Sequence, residues 1–416
     1  MKARVAVTGM GIVSALGVGL EANRAALETG RSGIRRLRQF PAQAFPVAVG
    51  GEVERPGLPA GTGRIAALAE LALEEALQDS GLPCDGEPQR EVATCWALGK
   101  PTLDLPRLRD WLADGATQWE GEDRLAWLRR RYASDLRREG HTTADVLARL
   151  AQRGGAGGER MACYTACASG NDALGLGKRL IERGAAEVVV AGGADAQLDP
   201  LSLLEYELLA ALAPMREGQE PAKLCRPFDR RRTGFVVGEG AATLILESEA
   251  HARRRGARVR GWLSGHGSSL DAFGLTKCHP KGQGAARAIA AALEDAGRAP
   301  EEIEYINAHG TGTVLNDKAE AAGIHAVWGA AAAQVPISST KAMTGHLIAA
   351  AAAVEAVLTL TAMERGFLPP SLNYEEFDPE CALNVVTSAR PQRFRRAISN
   401  GFGFGGQNAC VVMEAA

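Results

Sequence analysis

A chain of 416 residues whose 47 basic and 49 acidic side chains nearly cancel, at net −2, carries no global charge for a nucleic acid or an anionic membrane to recognise. Its length suffices for two core-forming halves, and 46% hydrophobic residues with 49 glycines suit a globular chain with many tight turns. The eight cysteines include no CxxC pair and no Cys/His cluster at zinc spacing, so no metal is expected.

The opening MKARVAVTGMG is an apolar strand interrupted by glycines rather than the continuous apolar run of a secretion signal, and a cytoplasmic chain with mostly reduced cysteines is expected. RIAALAELAL follows from Arg64, and CWALGKPTLD (95–104) leads into a Trp- and Arg-rich stretch within about 85–160. There DRLAWLRRRYASDLRRE (123–139) places Leu125, Leu128, Tyr132 and Leu136 on one helical face, with Arg124, Arg130, Arg131, Arg137, Arg138 and Trp127 opposite. A solvated or partner-covered basic face and a docking face for an acidic partner both fit that pattern.

CYTACASGND (163–172) sets Cys163 and Cys167 four apart, and the Ala-Ser-Gly after Cys167 opens what looks like a helix. A thiol at a helix N-terminus feels the positive end of the dipole, which favours thiolate. The small neighbours leave room for an acyl group, and backbone N–H groups can serve an oxyanion. Asp172 opposes this by adding negative charge. Taken alone, the segment reads equally well as a buried cysteine on a tightly packed helix.

EVVVAGG (187–193) is apolar throughout, as in a sheet covered on both faces. RTGFVVGEGAATLILE (232–247) then matches SNGFGFGGQNACVVME (399–414), ARVAVTGMG (3–11) matches ARVRGWLSG (257–265), and the helix ending ERG at 182–184 matches the one ending ERG at 364–366. Three matches in one order predict a duplicated α/β unit, with halves at 1–252 and 253–416 forming a layered α-β-α-β-α sandwich. The first half carries the extra residues.

The second half adds chemistry at glycine-marked element ends. NAHGTGTVLNDKAE (307–320) puts His309 in a turn after a strand, STKAMTGHLIAAAA (339–352) supplies Lys341 and His346, and SNGFGFGGQN (399–408) is a close-approach backbone with Phe402 and Phe404. LIAAAAAVEAVLTLTAM (347–363) is too short for a bilayer span and carries Glu355 at its middle, so it reads as a buried helix. Cys410 falls on an apolar strand.

TACASG, GGADA, RPFDRRRTGFVVGEGA, NAHGTGTVLND, STKAMTGH and GFGFGGQNA together resemble the β-ketoacyl-acyl-carrier-protein synthases, the elongating condensing enzymes of type II fatty-acid and polyketide synthesis. The resemblance covers nearly the whole chain except roughly 85–160. It implies the thiolase fold, decarboxylative condensation of malonyl-carrier protein with an acyl group on Cys167, and no resident cofactor, since phosphopantetheine arrives on the acyl carrier protein. It also implies a homodimer or a pairing with a chain-length-factor-like subunit. By motif position, Cys167 is the nucleophile, and its N–H and that of Phe404 hold the oxyanion. His309 and His346 donate to the thioester carbonyl. Lys341 is expected to pair with Glu320, Asp317 to support the same loop, and Thr311, Thr313 and Phe402 to contact substrate, while Phe404 gates the acyl pocket. Of the family's basic docking patch near position 65 only Arg64 is present. Two other readings are a non-catalytic chain-length-factor subunit, which would lack the nucleophile, and a thiolase-like acyl-CoA enzyme, which would want a second cysteine in the C-terminal glycine loop.

Overall fold

The computed structural model describes residues 3–40, 48–59, 61–82, 87–101, 109–110, 113 and 123–416. The apolar runs become strands covered on both faces. In the first half these are β1 (Val5–Ser14), β2 (Val92–Leu98), β3 (Arg160–Cys163), β4 (Val188–Ala196) and β5 (Glu239–Ser248), and every residue of β1, β2, β4 and β5 is buried. The second half supplies β6 (Gly261–Leu270), β7 (Tyr305–Asn307), β8 (Pro336–Ser338), β9 (Asn384–Val385), β10 (Arg396–Gly403) and β11 (Gln407–Glu414).

The strand order exposes the duplication. The first half runs β1-β5-β4-β2-β3 and the second β6-β11-β10-β7-β8-β9. In each, two antiparallel pairings come first and parallel ones follow. Among the described residues the two series join where Ala6 faces Trp262 and Val7 faces Gly261. The matched sequences lie on matched strands: 3–11 and 257–265 on β1 and β6, 232–247 and 399–414 at β5 and β11.

Helices complete five layers. On the outside of the first half, α1 (Arg64–Ser80) packs on β1 and β5; α2 (Arg124–Glu139) follows it in the chain, and α3 (Thr143–Arg153) packs on β2 and β3. Between the sheets lie α4 (Ser169–Glu182) and, later in the chain, the second ERG helix; α5 (Gln283–Ala296) and α6 (Val314–Trp328) pair with each other, and α5 covers β6 and β11 on the far side. That second ERG helix is α7 (Ala351–Arg365), which packs against α4 and reaches strands of both halves. Its Ala-rich sequence fits a helix with no solvent face, buried continuously from Ala351 to Met363. Each of its larger apolar side chains, such as Val354, Val357 and Leu358, contributes about 1.5–3 kcal/mol by burial. No helix among the described residues is long and apolar enough to cross a membrane.

The predicted helix at 123–139 is α2, where Arg129, Arg130 and Arg131 are exposed and Tyr132 donates to the Pro101 carbonyl at 3.1 Å. The side chains of Arg124, Leu125, Leu128, Leu136, Arg137 and Arg138 lie outside the described residues, as does Cys84. Arg64 is not a surface patch at all. It is buried, and its guanidinium forms a two-pronged pair with Glu239 at 2.6 and 2.5 Å.

Candidate active site

β3 ends at Cys163 and α4 begins at Ser169, so the four-residue spacing of the two thiols spans a strand-to-helix elbow rather than one helical face. Ala166 sits at its apex with φ 49°, a backbone region unfavourable for any residue but glycine and tolerated only where neighbours over-determine it. Those neighbours are Ser169, whose Oγ accepts the Thr165 N–H at 2.8 Å and donates to the Ala166 carbonyl at 2.5 Å. Cys163 stays on the strand with its Sγ 3.5 Å from the Ser169 carbonyl. Cys167 instead faces a cavity of about 360 Å³.

That cavity is also lined by His309, Thr311, Thr313, His346, Phe402 and Phe404. His346 Nε2 lies 3.1 Å from Cys167 Sγ, and the reacting atoms of Cys167, His309 and His346 are within 4.8 Å of one another. The two imidazoles meet edge to face at 5.2 Å, and Phe402 stands edge-on to His309 at 5.8 Å. The Phe404 N–H points at the sulfur. Gly403 permits this approach, because a Cβ there would lie 2.8 Å from the Cys167 nitrogen.

Burial governs the electrostatics. It pushes the Cys167 thiol up to about 12, outweighing the Lys341 charge and the Phe404 N–H that pull it down. The thiolate expected from the helix start is therefore not the resting form, and proton loss must accompany attack. Burial first and the Lys341 charge second hold both imidazoles well below the usual histidine range, with His346 adding to the effect on His309. Both rings are neutral.

The expected pairing of Lys341 with Glu320 is corrected by the structure. Lys341 Nζ donates to Glu355 Oε1 at 2.5 Å, both groups being buried, because the middle layer brings the first turns of α7 against the Lys341 segment. Glu320 serves a different end. It accepts the backbone N–H groups of His309 and Gly310 at 2.8 and 2.7 Å and the Asn400 amide at 3.0 Å, clamping the His309 turn, and burial raises it to about 7. Asp317 braces the same loop by accepting from the backbone of Phe228 at 2.7 Å and Gly312 at 3.2 Å.

One buried network escaped the sequence reading. Asp195 Oδ2 accepts the Ala349 N–H at 3.0 Å and a Gln197 amide proton at 2.9 Å, and Tyr206 donates its hydroxyl to Gln197. The Tyr206 ring stands edge-on to Phe235 at 5.5 Å, which stands edge-on to His346 at 5.2 Å, so both ends of the network bear on the His346 turn. A carboxylate inside the otherwise apolar GGADA strand was the available signal.

A buried thiol on a strained elbow, two neutral imidazoles and the Phe404 N–H aimed at the sulfur, set in a duplicated α/β fold, define a thiol-dependent acyl-transfer centre. The chain belongs to the β-ketoacyl synthase family, whose N-terminal domain model matches residues 2–252 and whose C-terminal domain model matches 260–375. It is 35% identical to the tetracenomycin polyketide synthase ketoacyl synthase alpha subunit of Streptomyces glaucescens, over 99% of this chain and 96% of that one. It is also 35% identical to 3-oxoacyl-[acyl-carrier-protein] synthase 2 of Synechocystis sp., over 99% and 98%. Among solved structures it is similar to a type II PKS acyl-carrier protein in complex with its ketosynthase bound to the hexaketide, with TM-score 0.89 and 31% identity over the whole of both chains. The ishigamide ketosynthase/chain length factor follows at TM-score 0.86 and 34% identity, again covering both chains fully.

Proposed function

We infer that the protein is a β-ketoacyl-[acyl-carrier-protein] synthase that condenses malonyl-carrier protein with an acyl group held on Cys167, in type II fatty-acid or polyketide synthesis. The observation that carries this is the meeting of Cys167, His309 and His346 in one cavity, with their reacting atoms within 4.8 Å. In the first half-reaction Cys167 Sγ attacks the carbonyl carbon of the incoming acyl thioester. The bond to the pantetheine sulfur breaks, and the thiol proton leaves with that sulfur as His346 Nε2 hydrogen-bonds Cys167 Sγ. The N–H groups of Cys167 and Phe404 hold the tetrahedral oxyanion.

In the second half-reaction the malonyl C–C bond to the carboxylate breaks and carbon dioxide departs, leaving the electron pair in a thioester enolate. Neutral His309 and His346 donate hydrogen bonds to its oxygen without surrendering a proton. The enolate carbon attacks the acyl-Cys167 carbonyl, the C–S bond breaks, and the released thiolate regains a proton from water. Burial first, and then the charge of Lys341 paired with Glu355, keeps the imidazoles neutral. Glu320 and Asp317 hold the His309 loop, and Thr311 and Thr313 face the pantetheine arm.

An acyl carrier protein is the proposed donor and acceptor, and the phosphopantetheine it brings is the only cofactor the reaction needs. The relatives named for a carrier complex and for a chain length factor support a paired assembly, either of this chain with itself or with a chain-length-factor-like subunit, and a cytoplasmic site of action is part of the same proposal. A thiolase-like reaction has less support, because Cys410 is buried on β11 with its sulfur 3.2 Å from Asn400 Oδ1, outside the cavity lining. Intact-mass measurement after incubation with a panel of acyl-carrier proteins tests the reading. An acyl increment on the wild type, absent from Cys167→Ala, is expected; no increment from any donor would overturn it.

A further inference from the structure

We propose that His266 is a positioning residue for the nucleophile: acting through Asp172 and Thr165, it fixes the elbow of the first half against the second so that the N–H groups of Cys167 and Phe404 converge on one oxyanion. The inference rests on the condensing reading above and adds a group that reading does not use.

Thr165, the residue before strained Ala166, donates its hydroxyl to Asp172 Oδ2 at 2.6 Å. Asp172 Oδ1 lies 3.1 Å from His266 Nε2, and His266 Nδ1 lies 2.8 Å from an Arg179 guanidinium nitrogen. Arginine has only donors, so Nδ1 must accept, the ring proton sits on Nε2, and His266 donates to Asp172. Both carboxylate oxygens of Asp172 are thus engaged, and the charge that the sequence set against the thiol is directed into this relay. The site is shaped for the ring: a Cβ on Gly175 would fall 2.2 Å from it, and the His266 N–H donates to Asp295 at 3.0 Å.

The relay crosses the boundary that matters for the oxyanion. Thr165, Asp172 and Arg179 belong to the first half with Cys167, whereas His266 lies on β6 opposite Val411 of β11, the strand that follows the Phe404 turn. One N–H of the pair comes from each half, and a strained elbow keeps its shape only where contacts on both sides dictate it. Decarboxylation depends instead on His309 and His346, which the relay does not touch.

Three variants separate positioning from mere packing. His266→Gln keeps an amide donor near the Nε2 position, His266→Asn keeps only an acceptor near Nδ1, and Thr165→Val removes the hydroxyl at constant shape. Each is assayed for acylation of Cys167 by acyl-pantetheine, for carbon dioxide release from malonyl-pantetheine, and for melting temperature. His266→Asn and Thr165→Val are expected to slow acylation by about tenfold, the scale of a small misplacement of reacting groups, with carbon dioxide release changed less than about twofold. His266→Gln is expected to recover most of the acylation rate. Equal losses in Gln and Asn, or acylation and decarboxylation falling together in Thr165→Val, would overturn the relay. If His266→Asn does not fold, Thr165→Val decides. A wild type that never acylates would instead overturn the condensing reading itself.

Discussion

The two copies of the repeated unit have diverged in what their glycine loops do, and each loop serves the other half. In the first copy, Phe235-Val236-Val237-Gly238 runs into β5 and holds His346 of the second half: the His346 N–H donates to the Val236 carbonyl at 2.7 Å, and the Gly238 N–H donates to the His346 carbonyl at 2.9 Å. In the second copy, Phe402-Gly403-Phe404-Gly405 runs into β11 and presses on Cys167 of the first half. Phe235 stands edge-on to His346 across the halves, whereas Phe402 stands edge-on to His309 within the second half. The apolar loop is buried and reaches the cavity with Phe235, whereas the glycine loop is half-buried and lines the cavity with Phe402, Gly403 and Phe404. The repeated turn thus supports the imidazole in the first copy and the thiol in the second.

If the halves divide the labour this way, the sharpest break comes from the thiol. Cys167→Ala should abolish acylation and condensation, while Cys163→Ala, altered on β3, should still take up an acyl group by intact mass. Next in size are the imidazoles. His309→Ala and His346→Ala should still acylate at Cys167 yet release carbon dioxide about two to four orders of magnitude more slowly, as for lost oxyanion donors. The loops can be set against each other directly: a Cβ at Gly403 would sit 2.8 Å from the Cys167 nitrogen and one at Gly238 would sit 2.4 Å from the Thr344 carbonyl. Gly403→Ala should therefore slow acylation more than decarboxylation, and Gly238→Ala the reverse, each by about tenfold or more, with a stability loss of about 1–3 kcal/mol from overpacking.

The smallest effect is on pH dependence. The Lys341 charge lowers both imidazole pKa values, so Lys341→Met should raise them. Protonated imidazoles would then accumulate at higher pH, moving the acidic limb of the decarboxylation profile upward. An unmoved limb would show that burial alone keeps the rings neutral.

The duplication and most of the cavity were legible because they depend on short segments: the paired ERG helices, the matched loops, and glycines flanking Cys167, His309 and His346. What stayed hidden depends on how the layers stack. Glu355 could be seen as a charge in an apolar helix, but only the α7 packing shows that it meets Lys341 and leaves Glu320 to the His309 backbone. The thiolate expectation failed for a similar reason, since a helix start is visible in sequence and the depth of burial that outweighs it is not. Arg64, taken as the remnant of a docking patch, is instead the buried partner of Glu239 across 175 residues of chain.

In this mechanism one thiol and two neutral imidazoles run two separable half-reactions. Protein already acylated at Cys167, mixed with one equivalent of malonyl-carrier protein in a single turnover, separates them. Loss of the acyl mass from the chain is expected in step with release of one equivalent of carbon dioxide and one of 3-oxoacyl-carrier protein. An adduct that persists, or that leaves as free acid without carbon dioxide release, would contradict it.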